Sequence, residues 1–141
     1  MKKQIIEQMV RTGQLRARWK DEEKIKSILK SANTNADVVK GIKLTENSAT
    51  VIFREVYESI RQLGNASWWI LGYEPLNHEI SIEILKEMDI KEKLKLNYLS
   101  RFKKIQNDAN YRGFQVTLAQ AEEILDFWNS SGKEIILLLS K

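Results

Sequence analysis

Four residues of the sequence have side chains that can bind a nucleotide or move a proton. His78 is the only histidine among the 141 residues, and histidine is the side chain that most often transfers protons in catalysis, so it is a candidate general acid or base. Arg61 carries a guanidinium suited to phosphate, and Tyr111 and Arg112 place an aromatic ring beside a second guanidinium. We take His78 and Arg61 as the candidate catalytic residues, and Arg61, Tyr111 and Arg112 as the candidate nucleotide-binding residues.

Each candidate also has a purely structural interpretation. Asn77 is a helix-capping residue type, so His78 can belong to an ordinary polar first turn. Arg61 can pair with Glu58, which lies three residues earlier on the same helix face. Tyr111 can close the end of a helical bundle while its arginine neighbour stays in solvent. The sequence leaves both interpretations open.

Other kinds of catalytic or metal site are excluded or poorly supported. The sequence contains no cysteine, which excludes disulfides, thiolate metal sites and thiol nucleophiles. A single histidine cannot supply a multi-histidine metal site, and Glu55 with Glu58 is better explained as a solvated acidic face. No phosphate-binding glycine loop, nucleophile elbow or calcium-loop spacing is present. We therefore expect no metal and no cofactor.

Charge is divided unevenly along the chain. Residues 1–44 carry eleven basic and five acidic side chains, and residues 91–113 carry seven and two. The segment between them, 45–90, carries three basic and eight acidic side chains. The basic segments can meet on one face and attract phosphates, or helices of opposite charge can lie side by side. The modest net charge of +4 favours the second explanation.

Spacing of apolar residues predicts an all-α protein. One proline and six glycines are too few for the turns of an all-β domain. Between Ala49 and Leu71, apolar residues recur at steps of three and four, which indicates a long helix that begins at Thr45 or Asn47 and ends at Gly72. We expect a single domain over residues 1–141, built as an up-and-down bundle of four to six helices with no strand of consequence.

The remaining helices follow from capping residues and apolar stripes. Asn77 starts a short helix. Asp89 starts a fourth helix, which ends in a loop over residues 107–113. Thr117 and Gln120 form a capping box at the start of the last helix. Gly132 falls on the buried phase of that last helix, so we expect the helix to continue through it rather than break. Near the N-terminus, one kinked or two separate helices precede a loop over residues 31–43.

Two neighbouring tryptophans suggest an interface. Trp68 is in phase with the apolar stripe of the long helix, whereas Trp69 points about 100° away from it. Trp69 therefore faces either another helix or a partner chain. We assign it to an interface, because tryptophan is a frequent anchor there. The absence of a long apolar run and of a secretory pattern predicts a cytoplasmic protein with no membrane contact.

Three stretches taken together resemble HEPN domains, small helical proteins of bacteria and archaea. They are Tyr57–Leu63, the turn Leu71–Glu79 with its G-Y-x-P-x-x-H-E pattern, and the late segment Asp108–Thr117 followed by Ala121–Glu123. The similarity covers roughly residues 20–140. It implies a four- or five-helix bundle, commonly a homodimer, with a role related to nucleotides or RNA. It also implies a possible partner, a minimal nucleotidyltransferase in a toxin–antitoxin pair.

The resemblance leaves two functions open. Some HEPN proteins are metal-independent ribonucleases whose motif places an arginine four to six residues before a histidine. Here those positions before His78 hold Glu74, Tyr73 and Gly72, so the motif arginine is missing. A non-enzymatic binding subunit is therefore the first hypothesis. The alternative is a ribonuclease toxin with a divergent site built on Arg61 and His78.

Overall fold

The fold is a bundle of helices packed around one central helix. The computed structural model describes residues 1–141, of which 72% are helical, and confirms the prediction of an all-α bundle. The helices and strands are α1 (Lys3–Arg11), β1 (Leu15–Ala17), α2 (Glu22–Lys40), α3 (Ala49–Ile70), β2 (Tyr73–Pro75), α4 (Glu79–Glu83), α5 (Tyr98–Arg112), α6 (Leu118–Phe127) and α7 (Lys133–Leu139). Two 3₁₀ turns, Ile84–Glu87 and Lys93–Asn97, connect α4 to α5.

Helix α2 is longer than the sequence predicted. Asp21 caps it by accepting a hydrogen bond from the amide of Lys24, and the helix then continues to Lys40 through the segment expected to be a loop. Ala32 and Ala36 are fully buried in that segment. Small side chains let two helix backbones approach closely, and α2 packs against α3 more extensively than any other pair of elements does. Tertiary packing therefore overrides the asparagines that suggested a loop.

Helix α3 is the central element and begins slightly later than predicted. Thr45 and Ser48 exchange backbone-to-hydroxyl hydrogen bonds of 2.8 and 3.2 Å, which closes a turn before the first helical residue, Ala49. The helix ends at Ile70, and Gly72 then takes a φ of +91°, a value that favours glycine. The chain leaves this turn as β2, which pairs antiparallel with β1 in a two-stranded ribbon.

Helix α4 lies unusually close to α3. A Cβ atom at Gly64 would stand 1.6 Å from the carbonyl oxygen of Ser81, so only glycine allows this contact between the two backbones. Ser81 also donates a hydrogen bond of 2.6 Å from its hydroxyl to Oδ1 of Asn65. These contacts fix the short helix, and the turn that precedes it, against α3.

The second half of the chain completes the bundle. Helix α5 continues to Arg112 rather than ending before residue 107, and Gly113 closes it with a φ of +68°. Thr117 and Gln120 form the predicted capping box at the start of α6. A π-helical turn, Trp128–Gly132, joins α6 to α7 without interrupting the helix. A Cβ atom at Gly132 would lie 2.7 Å from the Trp128 ring, which explains the glycine there.

A single hydrophobic core of 30 buried residues holds these helices together. At its centre the ring of Phe102 lies edge-on to two others, with centroid distances of 6.0 Å to Phe53 and 5.5 Å to Phe127. None of the helices combines the length and the apolar character that a membrane crossing requires.

Trp69 belongs to this core, which corrects its assignment to an interface. Its side chain is only 7% exposed within the single chain, and the ammonium of Lys24 in α2 lies 4.3 Å from the centre of its ring. Neighbouring residues on a helix point in different directions, but α3 is surrounded by other helices on more than one side. Trp69 therefore faces α2, the first of the two alternatives that the sequence allowed.

Candidate functional site

A polar pocket of about 550 Å³ lies where α3, the turn before α4 and the second half of α5 meet. Its lining is contributed by three elements that are distant in sequence. The lining residues are Tyr57, Glu58, Arg61, Asn77, His78, Glu79, Lys103, Gln106, Asn107, Asn110 and Tyr111.

Three of the four candidate residues line this pocket. Arg61 comes from α3, His78 from the turn before α4, and Tyr111 from the last turn of α5. The fourth, Arg112, does not line the pocket. Its side chain is 70% exposed and its Nε lies 4.0 Å from Oδ1 of Asp108 on the same helix. Arg112 is therefore placed as the structural interpretation predicted, in solvent.

Arg61 is held in place by Glu58. Its Nε donates a hydrogen bond of 2.8 Å to one carboxylate oxygen of Glu58, and its Nη2 donates to the other. The paired geometry orients the guanidinium plane, and the Arg61 side chain is only 17% exposed. A guanidinium has five N–H donors, and those on Nη1 make no hydrogen bond within the chain. Arg61 can therefore keep its carboxylate partner and still donate to a ligand.

Tyr57 lies one turn before Arg61 and contributes a neutral hydroxyl. The pKa of Tyr57 is raised to about 12, chiefly by burial; Arg61 acts to lower it, and the carboxylates of Glu58, Glu79 and Glu83 act to raise it. The hydroxyl makes no hydrogen bond within the chain. Because it stays protonated at physiological pH, Tyr57 can donate a hydrogen bond to a ligand but cannot act as a base.

His78 lies in the turn that starts α4. The side chain of Asn77 accepts a hydrogen bond of 3.1 Å from the amide of Ile80, which is the capping role that the sequence predicted. His78 itself is exposed and its imidazole makes no hydrogen bond within the chain. Both ring nitrogens are therefore available to a ligand in the pocket.

Helix α5 supplies a polar stripe that the sequence analysis missed. Lys103, Gln106, Asn107 and Asn110 all face the pocket, and residues at steps of three and four share one face of a helix. Oε1 of Gln106 is buried and has no hydrogen-bond partner. The stripe runs beside the apolar positions of α5 and was readable from the sequence. Its last two members, Asn107 and Asn110, lie in the segment that the sequence predicted to be a loop.

The charges of the pocket nearly balance. Arg61 and Lys103 are cationic, whereas Glu58 and Glu79 are anionic, so the charges of these four side chains cancel. Lys103 makes no ion pair within the chain, which leaves it free to meet an anion. No group of three or more His, Cys, Asp or Glu side chains is placed to hold a metal ion. The arrangement suits a ligand that combines one anionic group with hydrogen-bonding edges and a flat ring.

Comparisons of the chain with known protein families, with curated proteins and with solved structures give no match.

Proposed function

We propose that the protein is a HEPN-type binding subunit that holds a nucleotide or an RNA segment in the pocket between α3 and α5. The proposal rests on one observation: Arg61, His78 and Tyr111 come from three separate elements, and all three line one polar cavity. The resemblance to HEPN domains supports the same chemistry, because it implies a role related to nucleotides or RNA.

Each part of such a ligand has a matching group. The free Nη1 donors of Arg61 and the ammonium of Lys103 suit a phosphate oxygen. The ring of Tyr111, which is 84% exposed at the rim, suits stacking on a base. The amide side chains of Gln106 and Asn110 can both donate and accept, as the edge of a base requires.

The near-neutral charge of the pocket favours a ligand with few phosphate groups. Two cations beside two carboxylates give little net attraction to a triphosphate, whose charge needs several basic groups or a metal ion. A nucleoside monophosphate, or one phosphate of an RNA strand, fits better. Binding in the pocket should then depend only weakly on salt, since few phosphates are neutralised.

Two neighbouring residues of α5 provide a matched test. Tyr111→Ala removes a ring that lines the pocket, whereas Arg112→Ala removes a cation that does not. Titrations of AMP, ATP and a short single-stranded RNA, followed by calorimetry, should show a loss of about fivefold or more for Tyr111→Ala, from a stacking loss of about 1–3 kcal/mol. Arg112→Ala should bind like the unmodified protein.

Two results would contradict the proposal. One is that the unmodified protein binds none of the three ligands near millimolar concentration. The other is that Tyr111→Ala and Arg112→Ala weaken RNA binding equally and only at low salt. Equal weakening of that kind indicates nonspecific attraction to the basic segments of the chain.

The ribonuclease alternative rests on the place of His78 in the same pocket as Arg61. A histidine can transfer the proton of a ribose hydroxyl, and a guanidinium can stabilise the charge that develops on the phosphate. RNA cleavage that persists in EDTA and disappears in His78→Ala, with growth arrest on expression relieved by the same substitution, would favour this alternative. Unchanged RNA after prolonged incubation would favour the binding subunit.

A homodimer and a nucleotidyltransferase partner belong to the same proposal. Both come from the HEPN resemblance, and Trp69 no longer supports the dimer because it is buried within the chain. Sedimentation at about 100 μM tests the dimer, since interfaces of standard size usually persist well below that concentration. The gene neighbourhood tests the partner: a small nucleotidyltransferase beside this gene would support it.

A further inference from the structure

A second cavity, of about 630 Å³, lies between α2 and α7 and shares no residue with the polar pocket between α3 and α5. The two helices both pack on α3 and leave a groove between them. The apolar side chains of the groove come from α2, from the end of α3 and from α7. They are Ile25, Leu29, Ile70, Ile136, Leu137 and Leu139.

The groove runs along α2. Along α2 it extends from Glu22 to Asn33, a distance of about 17 Å at 1.5 Å per residue. This length suits an extended hydrocarbon chain that lies parallel to α2.

Lysines surround the apolar floor. They are Lys20, Lys26, Lys30, Lys133 and Lys141, against a single acidic residue, Glu22.

Only two of these lysines are paired within the chain. Lys20 lies 3.3 Å from the carboxylate of Glu22, and Lys133 donates to Asn33 and Asp37 at 2.7 and 3.1 Å. The other three make no ion pair. A second copy of this chain would bring lysines against lysines if it docked through the same groove, and like charges repel. Charge complementarity therefore calls for an anionic occupant.

We propose that this groove binds a single-chain anionic amphiphile of the fatty-acid class. The hydrocarbon chain lies along Ile25, Leu29 and Ile136, and the carboxylate meets the unpaired ammonium groups of Lys26 and Lys30, which are one turn apart on α2. The lysine stems cover the edges of the chain while their charged ends stay in water.

Calorimetric titration of the full chain with dodecanoate below its critical micelle concentration tests the proposal. We expect saturable binding of one molecule per chain, and no comparable binding of dodecyltrimethylammonium, which has the same chain with the opposite charge. Lys26→Glu/Lys30→Glu should weaken dodecanoate binding at least tenfold. The matched control, Lys93→Glu/Lys104→Glu, changes the net charge equally at exposed positions outside the groove and should bind normally.

A second variant separates the apolar floor from the charge. Leu137→Gln alters a groove residue that is 67% exposed, so it should leave helix content unchanged while weakening dodecanoate binding several-fold. The proposal is overturned if dodecanoate gives no saturable binding, if dodecyltrimethylammonium binds equally well, or if both double variants lose binding to the same extent. Binding to anionic vesicles without binding to free dodecanoate would also overturn it.

Discussion

The indole Nε1 of Trp68 donates a hydrogen bond of 2.9 Å to the carbonyl oxygen of Ile80, twelve residues further along the chain. The donor lies in the last turns of α3 and the acceptor in the first turn of α4, so this bond joins the central helix to the short helix that follows it. The turn between them carries His78. The position of the only histidine, which lines the polar pocket between α3 and α5, therefore depends on a contact in the core.

Trp68→Phe should destabilise the protein by about 2 kcal/mol or more. Phenylalanine keeps an aromatic ring but removes the N–H donor and leaves space around a fully buried side chain. The matched control is Trp19→Phe, the same substitution at a side chain that is 93% exposed, which should change stability by less than about 0.5 kcal/mol. Urea unfolding of the three proteins measures the difference, and equal midpoints would contradict the assigned contact.

Gly64→Ala should be more disruptive than its size suggests. The added methyl group would lie 1.6 Å from a backbone carbonyl oxygen, which cannot turn away as a flexible side chain can. We expect a loss of at least about 3 kcal/mol, or failure to fold. At Gly41, by comparison, the nearest atom to an added Cβ, the carbonyl oxygen of Val38, lies 3.3 Å away, so Gly41→Ala should cost much less than Gly64→Ala. Thermal unfolding compares the two variants, and similar melting temperatures would contradict the close approach of α3 and α4.

Tyr57 should make the protein less stable at high pH. Below pH 10 the hydroxyl is protonated in both the folded and the unfolded chain, but above pH 10 the unfolded chain loses this proton while the folded chain retains it up to a pKa of about 12. The unfolded state is therefore favoured as pH rises, by about 1.4 kcal/mol per pH unit between pH 10 and 12. Tyr57→Phe should remove this part of the decline.

Denaturant unfolding of both proteins from pH 8 to 12 measures that contribution as a difference between two slopes. Lysines also titrate in this range, but they are common to both proteins and cancel in the comparison. The two curves should run parallel below pH 9. Parallel curves up to pH 12 would show that Tyr57 ionises as readily in the folded chain as in the unfolded chain.

Thr117→Ala should cost about 1 kcal/mol, within a range of about 0.5–2 kcal/mol. Its hydroxyl accepts a hydrogen bond of 3.1 Å from the amide of Gln120, and the Gln120 side chain accepts one of 3.0 Å from the amide of Thr117. Thr34→Ala is the control, because Thr34 is exposed in the middle of α2 and alanine is the better helix former there. A stability loss at position 34 as large as that at position 117 would argue against the cap.

Local signals in the sequence were sufficient for several features of the fold. The capping box at Thr117, the end of α3 before Gly72 and the continuity of the last helix through Gly132 all agree with the structure. Each of these depends on residues within one or two turns of one another. Backbone geometry and side-chain hydrogen bonds over such short distances are determined by residue type, so they can be predicted without knowing the partners of the helix.

Other features were decided by contacts between distant parts of the chain. The segment 31–43 looked like a loop because of its asparagines, yet Ala32 and Ala36 pack against α3 and keep it helical to Lys40. Trp69 looked available to a partner chain, yet α2 covers it. In both cases the missing information was which helix lies beside α3, and no local pattern contains it.

The same distinction applies to the candidate site. The sequence identified residues with suitable chemistry, including Tyr111 and Arg112 as neighbours, but consecutive residues on a helix point about 100° apart. Only the rotation of α5 about its own axis, set by the packing of Phe102 in the core, decides that Tyr111 lies at the rim of the pocket and Arg112 outside it. Residue types therefore determined which chemistry the chain can offer, and helix packing decided which side chains share one cavity.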